Sequence, residues 1–250
     1  MTGMLAIIRK EWKIYFVTPA AYVVLALFGL ITGFFFYSML AIFAMQSLGG
    51  GFGGGMLDVN TNLVQPLFFD VGITLLFLLP MITMRLYAEE ARSGTLELLK
   101  TSPVRRMEIV LGKFLSAFGL LALLLIITAA YLAIVAHYGQ PDLRQIAVSF
   151  LGVALMGGVF IALGLLISSF TRTQVAAGVA TFSLFLLLWV ADWVTAYSSG
   201  TLAHIFAYLS ITSHLQNFTQ GIVEVQDLVY YLSLIVAGLF LTARRIELSE

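Results

Sequence analysis

Side chains able to do chemistry are few in this chain, and most crowd into one place. Of 250 residues only 10% are charged, yet the stretch LYAEEARSGTLELLKTSPVRRMEIVLGK, Leu86 to Lys113, carries Glu89, Glu90, Arg92, Glu97, Lys100, Arg105, Arg106, Glu108 and Lys113. Leu96, Leu98, Leu99, Val104 and Met107 are interleaved with them. Mixed charge around apolar anchors suits gripping a soluble partner and receiving force from it; it offers no bond-making constellation. The same pattern also fits a solvated loop with ordinary helix caps.

Elsewhere the chemistry thins out. There is no Cys, which excludes disulfides, thiolate metal sites and Cys nucleophiles. Neither GxSxG nor HExxH occurs, so a membrane enzyme has little support. His137, His204 and His214 lack ligand-like spacing to one another or to a carboxylate, and read as polar residues at a membrane interface. No GxxxxGK[ST] is present, and GGGFGGG at 49–55 has linker chemistry without the helix and Lys-Ser/Thr of a phosphate loop. The chain cannot bind and hydrolyse ATP by that route, so the energy for any mechanical work must come from a separate subunit. Net charge is zero, which implies no bulk attraction to nucleic acid.

The elements that position these residues are membrane spans. The chain is 60% hydrophobic, with a mean hydropathy of +1.00. A hydrocarbon core about 30 Å thick takes about 20 apolar residues per helix. The sequence predicts an all-α membrane protein, one transmembrane domain over 1–250. Six spans are expected at 17–43, 66–86, 109–136, 145–170, 174–197 and 227–243. Residues 4–16 are amphipathic, with Leu5, Ile8, Trp12 and Phe16 on one face, and read as an interfacial helix. Residues 87–108 form a segment between spans two and three, and 198–226 hold short apolar and polar pieces that re-enter or lie on the surface. Pro80 is an expected kink in span two. Ala154, Gly158 and Ala162, four apart in span four, suit close helix packing within the subunit or across a dimer.

Within the charged segment, Gly94 should end the helix arriving from span two. Thr95 can cap a short helix with Glu97 near its positive end, and Ser102-Pro103 marks another helix start.

Orientation follows from the positive residues. With both termini cytoplasmic, every Lys and Arg of the 13 except Arg144 lies on the cytoplasmic side. That places 87–108 in the cytoplasm and 198–226 outside. Buried charge, the mark of ion paths, is scarce: Asp70 and Asp192 lie near outer span ends, where they can snorkel, so an ion-coupled carrier is disfavoured.

Ala88 to Phe114 resembles the segment after the second span of ABC-2 type permeases, the membrane subunits of certain ABC exporters, and most of all the gliding-motility and copper-accessory subgroup. The shared pattern is Glu89, Glu90, Gly94, Thr95, Leu96, Glu97, Leu98, Leu99, Pro103, Gly112, Lys113 and Phe114. The rest of the chain resembles the family only in hydropathy and layout.

The resemblance implies a permease in the bacterial inner membrane that pairs with a second permease, identical or not, and docks a separate ATPase holding ATP and Mg. It implies docking through Glu89, Glu90, Gly94, Thr95, Leu96, Glu97, Leu98, Leu99, Arg105 and Arg106. An auxiliary subunit with an extracytoplasmic domain occurs in some relatives. No cofactor is implied in this chain itself. The alternative is a non-transporting anchor or force-transmitting assembly subunit. The apolar span walls suit membrane lipid or an amphiphilic substrate.

Overall fold

The structure, a computed structural model, describes residues 2–48, 58–94, 105–171, 173–197 and 201–248. Helices account for nearly all of these, and no strand occurs among them. Six helices among the described residues are long and apolar enough to cross a membrane: Ala20–Ser47, Asn60–Glu90, Arg106–Tyr138, Leu143–Phe170, Gln174–Trp193 and Val225–Glu247. This is the expected all-α, six-span layout.

Helix α1 (Thr2–Val17) and α2 (Ala20–Leu48) are separated at Thr18-Pro19. Proline disfavours the helical region for the residue before it but suits a helix start, so the first span begins three residues later than hydropathy alone suggests. Thr18 Oγ1 donates to the Ile14 carbonyl at 2.8 Å, closing the end of α1. Beyond the glycine run, which lies outside the described residues, Asp58 starts the next helix. Its carboxylate accepts from the Asn60 N–H at 3.1 Å and from Thr61 Oγ1 at 2.7 Å. These bonds, the Thr61 hydroxyl first, hold the Asp58 carboxyl below its ordinary range.

A π turn (Asn60–Val64) runs into α3 (Gln65–Thr83). The helix passes through Pro80 and breaks only at Met84, whose N–H still reaches the Pro80 carbonyl at 2.9 Å. Helix α4 (Arg85–Ser93) continues to Gly94, which ends it in the left-handed region at φ 70°. A side chain is strained there, so glycine is the natural stop.

Helices α5 (Arg106–Tyr138), α6 (Leu143–Phe170) and α7 (Gln174–Tyr197) are spans three to five. Asp142 caps α6, accepting the Arg144 N–H at 2.8 Å. Two nine-residue helices follow, α8 (Thr201–Leu209) and α9 (Ile211–Thr219), and then α10 (Val225–Leu248).

The core is organised around α6, which packs against α3, α5, α7, α9 and α10. Val153, Met156, Val159, Phe160, Ile161, Ala162 and Leu165 are fully buried. Helices in lipid gain little from hydrophobic exclusion and depend on close van der Waals fit. Accordingly, a Cβ on Gly158 would stand 3.0 Å from Ile235 Cδ1, and one on Gly238 would stand 3.1 Å from Ala162 Cβ. Gly158 and Ala162 thus face α10 of the same chain. Ala154 is half-buried and edges an apolar groove between α5 and α6.

Candidate functional site

At the end of the bundle where α1, α4 and the start of α5 meet, four charged side chains converge. Lys113 Nζ lies 2.8 Å from Glu11 Oε1 and 2.9 Å from Glu90 Oε1, and donates to the Leu86 carbonyl at 2.6 Å. Lys10 Nζ reaches the same Glu90 oxygen at 2.6 Å. The Lys113 side chain is 1% exposed, Glu11 7% and Glu90 10%. The Tyr87 ring covers the ammonium at 5.0 Å. Two cations face two carboxylates, so the cluster is balanced. A buried ion needs such full pairing, because taking a charge out of water costs several kcal/mol. Burial tends to lower the pKa of Lys10, but the Glu90 hydrogen bond and charge prevail and hold the ammonium above its ordinary value.

The local sequence explains the meeting. Gly112, Ser116 and Gly119 lie on one face of α5 and make a smooth track for α1. A Cβ on Gly112 would come within 2.9 Å of Ile7 Cγ2, and one on Gly119 within 2.7 Å of the Trp12 ring. With α1 seated there, Glu11 falls onto Lys113. Helix α4 is fixed from the other side by α6. The Ser168 hydroxyl accepts the N–H groups of both Tyr87 and Ala88 at 3.1 Å and donates to the Met84 carbonyl at 3.2 Å. That satisfies backbone donors orphaned where the helix restarts. A cleft of about 250 Å³ opens beside the cluster, walled by Lys10, Ile14, Tyr15, Arg85 and Glu89.

Of the expected docking residues, Glu89 is half-exposed and pairs with Arg85 at 3.1 Å, and Glu90 is committed to the buried cluster. Among the described residues, nothing lies within 4 Å of a Cβ placed on Gly94. Thr95, Leu96, Glu97, Leu98 and Leu99 lie outside the described residues. Arg105 is exposed just before α5, and Arg106 reaches Glu247 of α10 at 3.5 Å. Sequence reasoning passed over Lys10, Glu11 and Ser168, whose partners lie about 80 to 100 residues away.

A second polar assembly sits at the opposite end. His214, read from sequence as an interfacial polar residue, is instead 5% exposed and lies 2.6 Å from Asp227 across the turn at Gly221. Its other nitrogen lies 3.0 Å from the Tyr208 carbonyl. Asn217 donates to the second Asp227 oxygen at 2.9 Å. Tyr230 and Tyr231 donate to the carbonyls of Leu209 at 2.7 Å and Ile211 at 3.0 Å. Ser213 donates to Asp192 at 3.0 Å. Helix α9 is also held by α6, where Gln145 Nε2 donates to the Thr219 carbonyl at 2.7 Å. Residues 201–219 therefore form two short helices docked on the bundle, α8 against α7 and α9 against α6. Asp70 is half-buried near this end of α3. Among the described residues, no group of three His, Asp or Glu is arranged to hold a metal ion.

Six span-length helices with charge gathered at their ends define a polytopic membrane protein whose polar machinery flanks the bilayer. Residues 5–244 match the family model for the ABC-2 family transporter protein, and the chain belongs to that family. It is a multi-pass permease of the ABC transporter class, a class that works with an ABC ATPase subunit. A search of curated proteins gave no match.

Proposed function

We propose that this chain is the permease subunit of an ATP-driven exporter of the gliding-motility and copper-accessory type. Hydrolysis of ATP, with Mg, on a separate ATPase supplies the energy, and residues 95–104 receive the displacement. Both termini and the Lys113 cluster are cytoplasmic, as the distribution of Lys and Arg favours. Two copies, or this chain and a related one, flank the path, and the short helices α8 and α9 stand at its outer mouth. Glu89, Gly94, Arg105 and Arg106 border the docking segment, and Thr95 to Leu99 form its body.

The observation that carries this reading is the Lys113 cluster. It joins α1, α4 and α5 at the foot of the docking segment, so a push delivered there is shared by the interfacial helix and by spans two and three. The test is co-purification of the tagged chain in mild detergent with an ATPase assay. A P-loop ATPase should co-purify, and Glu97→Arg should detach it. Lys113→Met combined with Glu11→Met, which removes the α1–α5 ion pair as a matched pair, should leave it bound while reducing the coupled response. A preparation without an ATPase would favour the anchor or assembly role.

A further inference from the structure

We propose that the cleft beside the Lys113 cluster is a lipid-headgroup site, and that its ligand is a glycerophospholipid whose phosphate carries a primary amine, the phosphatidylethanolamine class. The cleft stands at the right depth. It shares two wall residues, Tyr15 and Arg85, with a narrower apolar crevice of about 20 Å³ lined also by Ala20, Ala21, Val24, Met81 and Ile82. Ala20, Ala21 and Val24 open the first span, and Met81 and Ile82 lie in the last turn of α3. The crevice therefore sits at the edge of the hydrocarbon, and the polar cleft just beyond it. The crevice is too narrow to enclose an acyl chain, but it can seat the first methylenes while the rest of the chain stays in the bilayer. A soluble solute gains nothing from such a junction; a molecule with a polar head on apolar chains does.

The charges of the wall select the head. Lys10, Arg85 and Lys113 face Glu11, Glu89 and Glu90, so the lining is neutral and does not match a bare anion. Lys113, Glu11 and Glu90 are engaged with one another in the buried cluster. What remains to meet a ligand is Lys10, Arg85 and Glu89, with side chains 43%, 21% and 45% exposed. Lys10 gives one of its N–H groups to Glu90 and keeps two. Arg85 donates through Nε to Glu89 at 3.1 Å, which leaves both Nη groups without a hydrogen-bond partner among the described residues. These donors match the unesterified oxygens of a phosphodiester, and the arginine fork can take two at once. Glu89 accepts through Oε2, and its Oε1 has no hydrogen-bond partner among the described residues. Arg85 and Glu89 are one turn apart on α4 and share a face, so a phosphate on the first places an amine two carbons away beside the second.

A primary ammonium donates to Glu89, whereas a trimethylammonium has no N–H to give. Arg9 and Lys13, exposed on α1 but outside the cleft, attract anionic lipid in general, so the telling comparison is between lipids of equal net charge. A lipid bound there touches α1, α3 and α4 together. It adds an exchangeable fastening to the joint that the Lys113 cluster makes. The site needs no ATPase, and only its assignment to the cytoplasmic leaflet rests on the proposed orientation.

The test is native mass spectrometry of the full chain, delipidated in detergent and offered equal amounts of dioleoyl phosphatidylethanolamine and dioleoyl phosphatidylcholine. The first lipid bound should be the ethanolamine lipid, several-fold over the choline lipid of identical chains. Glu89→Gln, at a half-exposed position, should abolish that preference. Arg85→Gln should weaken the first adduct of both lipids. Glycerophosphoethanolamine, the same headgroup without chains, should not displace the bound lipid.

Equal binding of the two lipids, or a preference that survives Glu89→Gln, overturns the amine contact and with it the proposed ligand. Adducts unchanged by Arg85→Gln overturn the phosphate contact. Displacement by the chainless headgroup overturns the seat at the edge of the hydrocarbon and leaves a site for a soluble phosphodiester. Thermal melting shows whether Arg85→Gln is still folded, and the Glu89→Gln result stands without it, because it reads a ratio of two lipids within one preparation.

Discussion

Lys113 on α5 and Glu11 on α1 stand 102 residues apart in sequence and 2.8 Å apart in space. The contact joins the first helix of the chain to the start of the third span, and both side chains are buried. Glu90, the second carboxylate on Lys113, lies only four residues before the glycine that ends α4.

Removing one member of this cluster should be far more damaging than removing a matched pair. Lys113→Met leaves the buried Glu11 without its ion-pair partner, and we expect a loss of about 3–5 kcal/mol of stability. Lys113→Met with Glu11→Met leaves Lys10 paired with Glu90 and should recover most of that loss. Thermal melting of the purified protein in detergent, comparing the single and double variants, provides the check.

Lys10 supplies a pH dependence of opposite reach to that of a carboxylate. Its folded pKa lies above 10.5, so its pairing with Glu90 contributes fully below that value and fades as pH rises beyond it. Lys10→Met should therefore shift the melting temperature equally at pH 6 and pH 9, and the shift should shrink in strong alkali.

Ser168 reads as an ordinary hydroxyl, yet it serves three backbone groups at the α3–α4 break. Ser168→Ala leaves two buried N–H groups without their acceptor, a cost of about 1–3 kcal/mol. Amide hydrogen exchange at Tyr87 and Ala88 should accelerate, while exchange in the middle of α6 stays unchanged.

Gly158 tests the fit between α6 and α10. A larger side chain there meets Ile235, so Gly158→Leu should cost about 1–3 kcal/mol from overpacking. Ala154→Leu, beside an open groove, should be tolerated. Melting of the two variants separates a tight helix contact from a merely small residue.

The spans were legible because twenty apolar residues in a row have few other homes, and the stop at Gly94 was legible because glycine marks left-handed helix ends. The first span nevertheless starts at Ala20, since Pro19 governs local geometry in a way an apolar window does not register. Pro80 misled in the other direction: the helix runs through it and breaks four residues later, at Met84, where Ser168 of another helix takes over the backbone groups. The His214–Asp227 pair was invisible for a similar reason. Its members are 13 residues apart across a turn, a spacing with no helical or strand period. Lys113 read only as one charge of the 86–113 segment and one residue of the family pattern, and nothing in LGKFLSAFG points to Glu11.

Helix α10 carries Asp227, Tyr230 and Tyr231 at one end, bound to the short helices α8 and α9, and Glu247 at the other, bound to Arg106. At 1.5 Å per residue its 24 residues measure about 36 Å. It behaves as a tie rod between the two polar assemblies. Tilting a rod of that length by about 10° sweeps its far tip through about 6 Å, roughly the pitch of one helical turn. A rigid swing of that size at the Arg106 end would therefore carry Asp227, and with it the short helices it holds, through about one helical turn.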